Sequence, residues 1–235
     1  RRISNIMITA HHLVFGRKYT QPIPIDSFLA YNFNGNLLDS SGNGRNATQN
    51  GTITYTTGRK GVPNTAIQFG SGNIVTPTLP ASSVWSISFW FKTNSTANTI
   101  WLELSPFLNT INGFLSAINN DGSGKIRGYI NSGNIANVNH KFTNNSFNNN
   151  NWHHFFLILY IIKLALIEIK IYFYKVLQSL SSTSNSEQLG NYTSEKLYIG
   201  ARGTTLTQPY NGAMDDFKIF NRPLTQTEIT NLYNE

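Results

Sequence analysis

The stretch FFLILYIIKLALIEIKIYFY, residues 155–174, is the most apolar in the chain and leaves two kinds of structure open. It crosses a membrane as one helix, or it folds back as strands in a buried sheet. A spanning helix needs about 20 apolar residues, so the length suffices. The content argues against it. Lys163, Glu168 and Lys170 fall inside the stretch. Each costs roughly 2.5–3.5 kcal/mol at a helix centre, against a gain of about 0.3–0.6 for each Leu, Ile, Phe or Val. The second half also alternates. Ile167, Ile169, Ile171 and Phe173 share one parity, and Glu168, Lys170, Tyr172 and Tyr174 the other. That is the period of a strand with one dry and one wetter face. The preceding WHHFFLILY is apolar on both faces, as in a strand buried mid-sandwich. Two strands, 152–160 and 167–177, are expected, and no membrane span. Their connection, IIKLAL, has no Gly, Pro, Asn or Asp and so lacks turn chemistry.

The rest of the chain repeats short strand-like runs between turn clusters. Strands are expected at 28–33, 52–56, 66–69, 73–77, 86–92, 100–104, 113–118, 125–130, 196–201 and 214–220. NGNLLDSSGNGRN, GSGN, NNDGSGK and NSFNNNN separate some of them, rich in residues that tolerate left-handed backbone. The Asn-rich tract 144–151 is expected to be a polar loop. Only 12% of residues are charged, about half the usual share, while 13% are aromatic, which suits strands and turns over helices. One helix is expected, in PLTQTEITNLYNE. Thr225 and Glu228 have capping-box spacing, and Ile229 and Leu232 share a face. Many short, regularly spaced strands predict an all-β jelly-roll sandwich of two antiparallel sheets with a short C-terminal helix. Residues 1–25 are expected to form an N-terminal arm or linker, and 26–235 a single sandwich domain.

The formal charge of +7 comes from bases scattered in ones and twos, so a solvated surface is expected and no nucleic-acid partner. There is no cysteine, which excludes disulfides and thiolate metal sites. The opening RRISNIMITAHHLVFG does not read as a signal peptide. A longer parent chain is one expectation.

Several motifs in order carry a resemblance. YNFNGNLLDSSGNGRNAT (31–48), AIQFGSGNIVTPTLP (66–80), SISFWFK (86–92), NWHHFFLILY (151–160), YIGARG (198–203) and YNGAMDDFKIFNRPLTQTEITNLYN (210–234) resemble laminin-G-like jelly rolls of the concanavalin A-like lectin/glucanase superfamily. The resemblance covers about residues 28–235. It implies a non-catalytic module that binds a carbohydrate or glycoconjugate, or mediates adhesion, through rim loops. A structural or interaction domain of a larger surface or virion protein is the alternative, and a glycoside hydrolase a third reading. An extracellular, cell-surface or virion setting is implied. Two departures stand out: IIKLAL replaces a Gly-containing turn, and Tyr174-Lys175 stands where the family has Asp-Gly or Asn-Gly.

Glucanases of this superfamily carry Glu-x-Asp-x-Glu on one strand face, and the pattern is missing here. Glu103 and Glu168 stand alone, and Asp215 and Asp216, as neighbours on a strand, are expected to face opposite sides. No catalytic residue is assigned. The resemblance implies Ca²⁺ held by Asp215, Asp39 and Asn34, or Asn36, with loop carbonyls. Asp215 shares parity with Phe217 and Ile219, the expected core face, where a carboxylate needs a cation or hydrogen bonds. Equally, Asp215 caps backbone amides and Asp39 forms an Asx-turn. His153 and His154, adjacent on a strand, face opposite sides and suit packing within the sheet. Trp85, Trp90 and Trp152 suit the core. Trp101 and Tyr210 lie nearer loops and are the candidates to stack on a sugar.

Overall fold

The computed structural model describes residues 26–82, 84–104, 113–118, 123–131, 138–161, 167–182 and 195–235. The expected arm, 1–25, and most of the IIKLAL connection lie outside them. The described residues form sixteen strands and one helix. In chain order the strands are β1 (Leu29–Tyr31), β2 (Thr48–Asn50), β3 (Ile53–Thr56), β4 (Ala66–Phe69), β5 (Asn73–Val75), β6 (Val84–Lys92), β7 (Thr99–Glu103) and β8 (Gly113–Ile118). They continue as β9 (Lys125–Asn131), β10 (Val138–Ser146), β11 (His153–Ile161), β12 (Ile167–Phe173), β13 (Val176–Leu177), β14 (Leu180–Ser182), β15 (Tyr198–Ile199) and β16 (Gly212–Phe220). The helix α1 spans Gln226–Asn234.

Two antiparallel sheets result. The first runs β13-β12-β11-β6-β16-β4-β3, with β1 also paired to β16. The second runs β14-β10-β9-β8-β7-β15-β5-β2. The apolar stretch folds back on itself as expected. β11 and β12 pair from Phe155 opposite Phe173 to Ile161 opposite Ile167, and β11 pairs with β6 on its other side. Among the described residues no helix is long and apolar enough to cross a membrane.

Alternation decides which residues meet between the sheets. Phe89 and Phe91 of β6, Phe155, Leu157 and Leu159 of β11, and Phe217 and Ile219 of β16 point inward. Trp101 of β7 comes from the opposite sheet, its ring 4.4 Å from that of Phe91 and 5.5 Å from that of Phe155. The other parity of the first sheet forms a second apolar cluster outside the sandwich. Phe156, Ile158, Tyr172 and Phe220 are covered there by Leu224, Ile229 and Leu232. This is why β11 is apolar on both faces: one face meets the second sheet, the other meets α1. The helix starts where its cap dictates. Thr225 accepts from the Glu228 N–H, and the Glu228 carboxylate accepts from the Thr225 N–H.

The structure differs from the sequence pattern in a few places. β2, β10 and β14 were not expected as strands. Ser146, inside the Asn-rich tract, ends β10, so the loop is shorter than expected. The run 167–177 is not one strand. It turns at Tyr174 and Lys175, whose φ angles of 49° and 65° make the reversal that the family builds with glycine. At 196–201 only Tyr198–Ile199 is strand.

Candidate functional site

The outer face of the first sheet is only partly covered by α1. Beyond the helix, β6, β16 and β4 bring Lys92, Ala213 and Gln68 into one row across the sheet. Outward parity follows from inward Phe91, Met214 and Ile67, all buried in the core. Trp152 stands just before β11, two residues ahead of outward-facing His154, and so joins the same face. These residues, with Thr56, Thr57, Thr93, Asn94, Asn150, Asn211 and Gly212, line a hollow of about 130 Å³, room for about four waters.

The hollow is built rather than incidental. The Thr93 hydroxyl donates to the Asn211 carbonyl at 2.6 Å, and the Asn150 N–H donates to the Thr93 carbonyl at 2.8 Å. Three separate segments are thereby pinned around one opening. Tyr210 braces the floor from inside, its hydroxyl reaching the carbonyls of Lys92 at 3.0 Å and Ala213 at 3.2 Å. Gly212 makes room for it. A Cβ there would lie 2.4 Å from the Tyr210 hydroxyl and 2.5 Å from the Lys92 carbonyl. Meanwhile the side chains of Lys92, Asn94, Asn150, Trp152 and Asn211 have no hydrogen-bond partner among the described residues. Trp152 is half-buried.

The two expected sugar-stacking residues are elsewhere. Trp101 and Tyr210 are both fully buried. Trp101 fills the core among Phe89, Phe91 and Phe155, and Tyr210 lies against Phe69 and Trp101. Neither ring can reach a ligand from solvent, so this assignment is corrected. Strand ends near loops are not thereby exposed: loop 200–210 closes over them, with the Tyr210 N–H bonded to the Gly200 carbonyl. Trp152, expected in the core, is the ring at the opening.

Asp215 is corrected as well. It does not share the core face with Phe217 and Ile219. The β16 register shifts between Asp215 and Lys218, and Asp216 has φ 47°. This bulge puts Asp215 opposite outward-facing Trp90, and it turns both carboxylates to the same residue. The Arg59 N–H donates to Asp215 at 3.0 Å, while the Arg59 guanidinium pairs with Asp216 at 2.8 Å and lies over Trp90 at 4.7 Å. Burial and the Asp216 charge push the Asp215 carboxyl up to about 6, against hydrogen bonds from Arg59 and Asp216.

Asp39 makes a separate turn. Its carboxylate accepts from the N–H groups of Ala30, Ser41 and Arg45 at 2.9–3.0 Å. Burial pushes its pKa up, but those hydrogen bonds outweigh it and the net shift is downward. Asn34 is exposed, and its carbonyl accepts from Asn36. Asp39 and Asp215 share no hydrogen-bond partner, and among the described residues no three His, Cys, Asp or Glu gather. With backbone N–H groups already directed at both carboxylates, these residues do not fit one Ca²⁺ ligand shell. Glu103 is buried and paired with Arg202 at 3.2 Å.

The histidines face opposite sides. His154 meets the Ser88 hydroxyl at 2.9 Å and packs beside Trp90 and Tyr233. His153 lies on Phe91 and bonds Asn149 and Tyr174.

The family model for the concanavalin A-like lectin/glucanases superfamily matches residues 64–230. Among solved structures, domain 4 of an extracellular family-43 arabinanase from Geobacillus stearothermophilus, solved with arabinotriose, is similar at a TM-score of 0.64 and 20% identity, covering 88% of this chain and 98% of that one. The receptor-binding domain of botulinum neurotoxin type G gives 0.63 and 18% identity, covering 89% and 51%. A structure from work on botulinum neurotoxin type C, whose cell entry depends on two ganglioside molecules, gives 0.63 and 16%, also covering 89% and 51%. The chain thus spans about half the length of the neurotoxin domains it matches. At these identities the likeness is one of fold. No curated protein matches the chain significantly.

Proposed function

Because the chain belongs to the concanavalin A-like lectin/glucanase superfamily, we propose that it is a non-catalytic module that binds a carbohydrate or glycoconjugate in the hollow beside Trp152. One observation carries this reading: a half-buried tryptophan stands among convergent amide and ammonium groups that have no hydrogen-bond partner among the described residues. Sugar rings have apolar faces that pack on aromatic rings and a hydroxyl rim that needs both donors and acceptors. Lys92, Gln68, Asn94, Asn150 and Asn211 supply that rim. The pinned backbone means little ordering is needed on binding. Binding of arabinotriose by the arabinanase domain and the ganglioside dependence of the neurotoxin are in keeping with it. An extracellular or surface setting accompanies this reading.

A protein partner is the second reading, and one observation favours it. Edge strand β13 exposes Val176 and Leu177, at 59% and 52%. A glycan array separates the two. The reading expects a subset of glycans to bind, with or without EDTA, and Trp152→Ala to weaken them at least tenfold at unchanged melting temperature. Binding of no glycan, or full binding by the Trp152→Ala variant, overturns it.

A further inference from the structure

We propose that the hollow selects sugars carrying a negative charge, with Lys92 contacting a carboxylate or sulfate while Trp152 holds the ring. This rests on the carbohydrate-binding reading and adds the class of ligand. Among the described residues Lys92 is the sole charged residue lining the hollow, and no Asp or Glu lines it. Lys92 has no ion-pair partner among the described residues.

The acids closest along the sheet do not neutralise it. Asp215 lies two residues from Ala213 on β16, but its carboxylate is engaged by the N–H groups of Arg59 and Asp216. Asp216 is held by the Arg59 guanidinium. Arg59 thus satisfies the acidic pair and leaves Lys92 as the uncompensated charge.

The surrounding groups favour an anion too. Asn94, Asn150, Asn211, Thr56 and Thr57 can each turn a donor toward an oxyanion. Hydrogen bonds in which a partner is ionised are roughly twice as strong as neutral ones. In a half-enclosed hollow an unpaired ammonium is a stronger selector than the same group on open surface. A neutral sugar would leave it without a counter-charge. The excess of 18 Lys and Arg over 11 Asp and Glu adds a weak attraction over the whole surface.

The test uses matched oligosaccharides and the intact chain. Trigalacturonate and its methyl ester form the carboxylate arm; a sulfated carrageenan tetrasaccharide and its desulfated form make the sulfate arm. A glycan array of neutral, carboxylated and sulfated sugars runs beside them. Wild type, Lys92→Gln, Lys92→Arg and Trp152→Ala are compared, with melting temperature as the folding control. The acidic member of at least one pair, or acidic array members as a class, should bind at least tenfold more tightly than neutral counterparts. Lys92→Gln should lose that preference, Lys92→Arg should keep most of it, and raising salt from 0.1 to 1 M should weaken it. The arm that responds identifies carboxylate or sulfate. Neutral sugars that bind alone, sensitive to Trp152→Ala and indifferent to Lys92→Gln, overturn the charge selection and leave the binding module standing. Acidic sugars that bind the Lys92→Gln variant undiminished also overturn it, since general surface charge then suffices. Binding of no sugar overturns both.

Discussion

The outer face of the first sheet has two halves made from the same strands. From Trp152, just ahead of β11, the outward residues run on through His154, Phe156 and Ile158. The last two lie under α1 in a dry cluster with Tyr172, Phe220, Leu224, Ile229 and Leu232. Trp152 looks into a polar hollow with Lys92, Asn150 and Asn211. His154 sits at the boundary, against Trp90 and Tyr233. The difference lies in where the helix ends. Where α1 covers the face, apolar side chains add to stability; where it stops, polar side chains have no partner among the described residues. The bulge at Asp216 falls on the same boundary and ties loop residue Arg59 to it.

The largest test of this contrast compares one substitution from each half. Phe156→Ala should cost about 3–5 kcal/mol in chemical denaturation, the usual loss for a buried phenylalanine. Trp152→Ala should cost under about 1 kcal/mol, as a half-exposed side chain outside the core. Equal losses would mean that the hollow is part of the core and not a separate surface.

The boundary should respond to pH through two opposed groups. Burial, with the charges of Arg59 and Lys218, holds His154 down at about 3. Its folded value is below its unfolded one, so stability present above pH 6.5 is lost as pH falls toward 3. Asp215, raised to about 6 from 3.8, has the opposite sign: its contribution is full below pH 3.8 and is lost as pH rises through 6. Between pH 4 and 6 the two largely cancel. Asp215→Asn should remove one opposing group, leaving the buried Glu103, raised to about 7, in both proteins, and should steepen the fall of stability below pH 6 by up to about 1.4 kcal/mol per pH unit relative to wild type, read from denaturation midpoints. The same slope in wild type and variant would break the pairing of these groups.

The hairpin beside α1 offers a smaller effect. Lys175 takes a left-handed φ of 65°, its ammonium lies 5.1 Å from the Tyr233 ring, and its carbonyl accepts from Gln226. Lys175→Gly should relieve the backbone and stabilise the domain by about 1 kcal/mol, less the lost ring contact, as a rise in melting temperature. A loss would show that the contact to the helix outweighs the strain. Chelation should have the smallest effect. EDTA is expected to leave the melting temperature unchanged, because Asp39 and Asp215 are held by separate sets of N–H donors. A drop of several degrees that Ca²⁺ reverses would restore the metal reading.

Much of the fold was legible because it rests on local chemistry. Alternation in SISFWFK and IEIKIYF determined strands, since successive side chains must leave opposite faces. The cap at Thr225 and Glu228 determined where the helix begins, since its first N–H groups need partners. The double-sided apolarity of FFLILY signalled a strand covered twice, though not by what. The site was not legible in the same way. Trp101 and Trp152 look alike in sequence, each close to a polar loop, yet one joins the two sheets and the other stands at an opening. Trp152 was read as core, and only the docking of α1 decides where cover ends along the face it shares with His154. Parity misplaced Asp215, because a single left-handed residue at Asp216 flips the alternation and no local pattern marks it. Sequence alone thus determined most of the strands, the cap and most of the dry faces, each a property of a few neighbouring residues. Tertiary structure decided which polar side chains remain unpaired, because that depends on partners brought from over a hundred residues away.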